Sequence, residues 1–309
     1  MLTNFLEKSK PINFLIYLGL FFCFFWISLI SNYFALEFTW LKVLESIGFF
    51  VLFLSIFFFY NFVVAKNKLT FDHSYAFFLF VLISILFLSK LFNFKTLIII
   101  LIYLLFLRKI YSLRSSKSVI QKLFDSGFWL GILCVLEPFS ILFSTLIFTS
   151  VFLQQKITIH NLLTPLIGFL TPLIIYFTYL FWVDATEEFT QLFYLDMINN
   201  IFIYVNDYTI WVFGTLLLLT IFSIFLKSPK ALSVNNSFKK SWLLLITNLI
   251  VAIFFALIVT KKNGAEIIFL TVPASIIIAN GFEVIQKTII KDILFGMLII
   301  GTITTFFLL

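Results

Sequence analysis

Charge is what this sequence has least of. Only 11% of its residues are Asp, Glu, Lys or Arg, against 62% hydrophobic ones, where a soluble domain carries about a quarter charged residues. A water-soluble core cannot absorb that much apolar surface, so a soluble globular fold is excluded. Histidine is nearly absent, and His73 and His160 both fall at the ends of apolar runs, where a polar interfacial residue is ordinary. Cys23 and Cys134 are the only cysteines. They lie far apart inside apolar runs, which excludes a disulfide framework and argues against a metal site. The chain lacks a Gly-rich phosphate loop, a paired-histidine zinc motif and a nucleophile elbow, and neither a metal nor a cofactor is expected. Arginine is limited to Arg108 and Arg114, while Phe reaches 46, a pattern of AT-rich coding bias. The net charge of +7 comes from lysines at the ends of apolar runs, where they anchor helices, so a nucleic-acid partner is not implied.

What the sequence has in abundance is long apolar stretches, reflected in a mean hydropathy of +1.14. Runs of about eighteen or more apolar residues can each cross roughly 30 Å of hydrocarbon as a helix. Barrel strands would alternate polar and apolar residues, whereas Ile47 to Val64 is apolar on every face, so helices are expected. With Lys, Asp, Glu, Asn and Pro clusters as boundaries, the runs are 13–31, 44–65, 74–92, 95–111, 127–153, 162–183, 209–226, 242–260, 266–282 and 292–308. Lys8 and Lys10 precede Phe14 to Ile30, which is too long for a signal-peptide core and has no small-residue cleavage site after it; it reads as an uncleaved first span.

Residues 127–153 are too long for one ordinary span and too short for two, and Glu137-Pro138 sits near their middle. If this run crosses once, 11 of the 21 basic residues fall on the inner side, which is no bias. If it enters, breaks at Pro138 and returns, 16 of the 21 fall inside, as the positive-inside rule requires. The expectation is an all-α polytopic bundle forming one membrane domain, 1–309. It has about nine full spans plus a broken re-entrant hairpin at 127–153, the N-terminus cytoplasmic and the C-terminus periplasmic, in a cell inner membrane. Two amphipathic surface helices are expected, over Arg108 to Lys122 inside and within 184–208 outside, with a solvated connector as the lesser alternative for the first.

Two sets of residues could carry chemistry. Glu137 is an intramembrane carboxylate, a functional position by default, but an acid accepting N–H bonds at a broken hairpin tip is a structural plug, and that plainer reading is favoured. On the outer face stand Glu37, Glu187 and Glu188 as catalytic candidates and Lys261 and Lys262 as candidates for binding a lipid phosphate. A carboxylate can activate an acceptor and cations can balance a phosphate; solvated loops produce the same mixture.

The segments Lys122-Leu-Phe-Asp-Ser-Gly-Phe-Trp-Leu-Gly131 leading to Glu137-Pro138, Pro165-Leu-Ile-Gly168 with Pro172, and Glu266-Ile-Ile-Phe-Leu-Thr-Val-Pro273 with Ala279-Asn280 resemble an uncharacterised Bacteroidota family of integral membrane proteins, domain of unknown function 6427. That resemblance covers essentially the whole chain and implies no activity. More distantly, the layout is similar to the polytopic glycosyltransferases of the C superfamily, in which a broken helix pair follows the fourth span and a first outer loop carries the catalytic acid. Here the outer loop is short and offers Glu37 alone. The expectation is a non-catalytic scaffold or accessory subunit in envelope assembly or protein export, whose partners are the lipid bilayer and other membrane or envelope proteins. The alternative is a lipid-linked glycosyltransferase-like enzyme with an outer-face site and a polyprenyl-phosphate lipid as its partner.

Overall fold

The computed structural model describes residues 2–35, 38–193, 209–233, 236–259 and 267–308, and every regular element among them is helical. Within lipid the backbone must satisfy its own hydrogen bonds, and an unbroken helix does so without a partner strand. In order, the helices are α1 (Leu2–Leu6), α2 (Pro11–Ser28, continued as a π turn over Leu29–Tyr33), α3 (Trp40–Lys66), α4 (Tyr75–Leu86), α5 (Phe94–Ser112), α6 (Val119–Leu136), α7 (Ser144–Leu153), α8 (Ile159–Trp182), α9 (Thr186–Gln191), α10 (Thr209–Ser233), α11 (Asn236–Ile258), α12 (Ile267–Val284) and α13 (Thr288–Leu308). Polar residues punctuate them. Thr39, Asn93 and Thr158 accept backbone N–H bonds at the starts of α3, α5 and α8, each satisfying a donor that a helix start leaves open.

Seven helices among the described residues are long and apolar enough to cross a membrane, so the protein is a multi-pass membrane protein. Helices α4, α7 and α12 are apolar but shorter in the described residues, and α5 carries Lys95, Arg108 and Lys109. Helix α4, at about 18 Å, falls short of the hydrocarbon thickness, yet every residue from Tyr75 to Ile85 is buried. A short helix extended by a 3-10 turn at Leu88–Lys90 is tolerated at membrane depth where protein surrounds it.

The core centres on α12, in which every residue from Ile268 to Phe282 is buried, packed against α4, α10, α11 and α5. Its polar residues find partners rather than water. Tyr60 and Ser275 share a 2.7 Å hydroxyl bond, and Asn280 Nδ2 donates to the carbonyls of Leu69 at 3.0 Å and Ile276 at 2.9 Å. Pro273 leaves the Phe269 carbonyl without its helical donor, and the Tyr103 hydroxyl lies 3.5 Å from it while donating to Asn248 Oδ1 at 2.7 Å.

Chain direction reverses within 119–156. Pro138 cannot continue α6, Glu137 takes an extended conformation (φ −145°, ψ 95°), and a 3-10 turn over Pro138–Phe143 leads into α7. Lys122 Nζ, near the start of α6, and Lys156 Nζ, just past α7, both donate to the Ser115 carbonyl, at 3.3 and 3.0 Å. The two limbs therefore begin and end at the same end of the bundle. Helix α6 starts at Val119, eight residues before the apolar run, so its length alone suffices to cross. The expected surface helix over Arg108 to Lys122 does not form. Helix α5 runs on to Ser112, and a connector with Ser118 at φ 50° follows. Leu113 is buried beneath this connector, while the Lys109–Asp125 ion pair and the bond from Lys122 to the Ser112 carbonyl at 2.8 Å hold it down.

Helices α6 and α8 run parallel with their backbones in contact. A Cβ on Gly127 would stand 2.0 Å from the Pro165 carbonyl oxygen, one on Gly131 2.5 Å from that of Phe169, and one on Gly168 2.2 Å from that of Phe124. Three small residues thus form a continuous seam of the kind that joins helices in lipid. Beyond this seam α8 is exposed around most of its circumference.

Candidate functional site

The outer candidates divide. Glu37, Lys261 and Lys262 lie outside the described residues. Glu187 and Glu188 occupy the first turn of α9, exposed, on a helix held to the end of α8 by Phe189 against Tyr176 and Phe177. Among the described residues they sit exposed at the rim of the bundle's edge helix. Residues 194–208, within the stretch expected to lie on the outer surface, are also outside the described residues. Glu137 is half-buried at the break, its N–H donating to Leu133 O at 2.8 Å and its carbonyl accepting from Ser140 N at 2.9 Å. These bonds belong to the turn itself.

The two ends of the bundle differ. Trp40, Trp182 and Trp211 are exposed at one end, as aromatic residues are at a membrane–water interface. The opposite end, where α3 and α5 finish and α11 and α13 begin, is rich in lysine. There the chain assembles charged side chains that sequence reasoning passed over. Lys227 Nζ meets Glu283 Oε2 at 2.8 Å, and the Lys227 side chain, 5% exposed, lies over the rings of Phe71 and Phe238. Glu283 Oε2 also stands 3.7 Å from His73 Nε2. Lys291 approaches Glu7 at 3.6 Å. Asp292 accepts from both Thr3 N–H and its hydroxyl, at 2.7 and 2.6 Å. These contacts tie α1, α4, α10, α12 and α13 together at one level. The signal that could have revealed them is the presence of acids on a basic face: Glu7, Asp125 and Glu283 each have a lysine mate. Burial, followed by the charges of Lys122 and Lys240, lowers the affinity of Lys156 for its proton below the usual lysine value.

Two adjoining cavities open at this basic end, about 540 and 510 Å³ in volume, with Ser9, Asn61, Val64 and His73 common to both. Both volumes fall within the range of small-molecule sites, about 300–1,000 Å³. One is walled mainly by α2, α3 and α4 and includes Lys10; the other reaches Lys68, Asp72 and Arg114. The His73 side chain is 5% exposed, and neither ring nitrogen has a hydrogen-bond partner. Among the described residues no group of three His, Cys, Asp or Glu is placed to hold a metal ion.

No curated protein and no solved structure matches this chain. The motifs of glycine, proline and buried asparagine nevertheless have defined places in the fold, as the α6–α8 seam and the α12 core. A family model matches residues 1–308, and the chain belongs to that family, the family of unknown function DUF6427.

Proposed function

We propose that this protein is a non-catalytic membrane module, a scaffold or accessory subunit in envelope assembly or protein export. It lies in the inner membrane of a bacterium, as one domain of about nine full spans and a broken re-entrant hairpin at 127–153. The shared Ser115 acceptor of Lys122 and Lys156 supports the hairpin. The lysine-rich end is cytoplasmic by the positive-inside rule, which puts the N-terminus inside and the tryptophan end, with the C-terminus, on the periplasmic side. The observation that carries the scaffold reading is helix α8. It is joined to the bundle chiefly by the small-residue seam, presents apolar side chains over most of its surface, and is followed by an exposed acidic turn.

The alternative is a transferase resembling the C-superfamily glycosyltransferases, acting on a polyprenyl-phosphate donor at the outer face with Glu37, Glu187 or Glu188 as its acid and Lys261 and Lys262 as phosphate ligands. Complementation of a strain lacking the gene separates the two. A Glu37→Gln, Glu187→Gln, Glu188→Gln triple variant that inserts at normal membrane abundance keeps full function if the protein is a scaffold. Loss of function at normal abundance overturns the scaffold reading in favour of outer-face chemistry.

A further inference from the structure

The cavities at the basic end have a shape that follows from how α2 and α3 pack. Midway along, the two helices interlock through rings: Phe21 lies 5.0 Å from Phe53 and 4.7 Å from Phe57, and Phe25 lies 5.5 Å from Phe50. Towards the basic end each leans on α4 instead. Phe14 stacks on Phe77 at 4.6 Å and Tyr17 shares a bond with Ser74, while Tyr60 lies flat on Phe80 at 4.0 Å. The helices therefore splay and leave a cleft floored by Ala76 and Phe77. Leu15 and Phe58, which are 63% and 62% exposed, flank its side opening at membrane depth.

The upper part of this cleft is apolar, and its mouth is cationic. Lys10 lines the first cavity, and Lys68 and Arg114 line the second, with Asp72 the one acid among the lining residues and Glu283, itself paired with Lys227, behind His73. Helices α2 and α4 both start here, and the partial positive charge at a helix N-terminus favours an anion. The buried imidazole of His73 lines both cavities; its Nε2 stands 3.7 Å from Glu283, and its Nδ1 has no hydrogen-bond partner. A buried polar atom without a partner is costly, and a ligand oxygen reaching Nδ1 would remove that cost.

The geometry points to a binding site for an anionic phospholipid, its headgroup phosphate between Lys10, Lys68 and His73 and one acyl chain leaving between Leu15 and Phe58 into the bilayer. A free anion would use the cationic mouth but not the apolar side opening, and a neutral lipid would use the opening but not the cations. The site stands at the opposite end from Glu187 and Glu188 and is independent of either reading of function.

The test uses the full chain, purified in a neutral detergent, with fluorescent phosphatidylglycerol and phosphatidylcholine as probes. Saturable binding with at least tenfold preference for phosphatidylglycerol is expected. The exposed-site variants Lys10→Gln and Lys68→Gln together weaken that binding about tenfold, and Leu15→Trp weakens it with every charge intact. Lys117→Gln, on the same end but outside the cavities, leaves it unchanged. Melting temperature checks that each variant is folded. Equal binding of the two lipids overturns the proposal, as does a loss with Lys117→Gln as large as with the cavity lysines, which would indicate a general surface field. Complete displacement by millimolar inorganic phosphate overturns it in favour of a free-anion site.

Discussion

Helices α12 and α8 look alike in composition and end up in opposite environments. Both are predominantly apolar and both carry internal proline, Pro273 in one and Pro165 and Pro172 in the other. Yet α12 is buried on every face, whereas α8 touches the bundle along one stripe and is otherwise exposed. Hydropathy cannot separate them, because lipid tails are as apolar as leucine and burial between helices in a membrane gains little from the hydrophobic effect. The distinguishing information lies in the small and polar residues. Helix α12 distributes Thr271, Ser275, Asn280 and Gly281 around its circumference, all buried. Helix α8 concentrates Pro165, Gly168 and Pro172 on one side, facing Gly127 and Gly131.

The largest way to break this comparison is to remove the stripe. Gly168→Leu drives a side chain into the Phe124 carbonyl, and because backbone cannot move aside as a flexible side chain can, about 3 kcal/mol of destabilisation is expected. The consequence is specific to one edge. In a Cys23→Ser background, maleimide labelling of Cys134, a buried residue of α6, rises as α8 separates, while the α12 core stays folded by thermal melting. Unchanged labelling and melting would mean that the seam does not hold α8.

This contrast also marks how much was legible beforehand. The run boundaries and the break at Glu137-Pro138 could be read directly, because proline and charge interrupt apolar sequence for local reasons. The motifs containing Gly127, Gly131, Gly168 and Pro172 were visible as patterns, but that they face one another depends on three-dimensional packing. Nothing local in Tyr75–Leu86 reveals that a helix too short to span is enclosed by protein. The stretch from Arg108 to Lys122 differs for the same reason: Ile110, Leu113, Val119 and Ile120 among its charges imply a surface helix, but Leu113 packs into the core beneath a connector. At the candidate site, Lys227 and Glu283 are 56 residues apart, and only packing of α10 on α12 joins them. His73 was dismissed as interfacial, although its imidazole is buried.

A second prediction sharpens the comparison within α12. Ile276 is fully buried in this helix, and Ile276→Ala leaves a cavity that close-packed neighbours fill only in part. A loss of about 2 kcal/mol or more is expected, read as a lowered melting temperature in detergent. A neutral result would mean that the centre of the bundle is loosely packed and that its tyrosine, serine and asparagine bonds, not its apolar contacts, hold α12.

The smallest expected effect is the same substitution on α8. Ile174 is 61% exposed, so its side chain meets detergent or lipid both in the folded protein and after α8 has come away. With the same apolar surroundings in both states, Ile174→Ala removes no differential contact and changes stability by less than about 0.5 kcal/mol. The measurement gains its force from being made twice, in detergent and in native membranes. If Ile174→Ala is neutral in both, lipid alone covers that face. If it is neutral in detergent but lowers the melting temperature in native membranes to the extent that Ile276→Ala does, another protein packs on α8 there, and the edge helix is then the surface through which a scaffold would work.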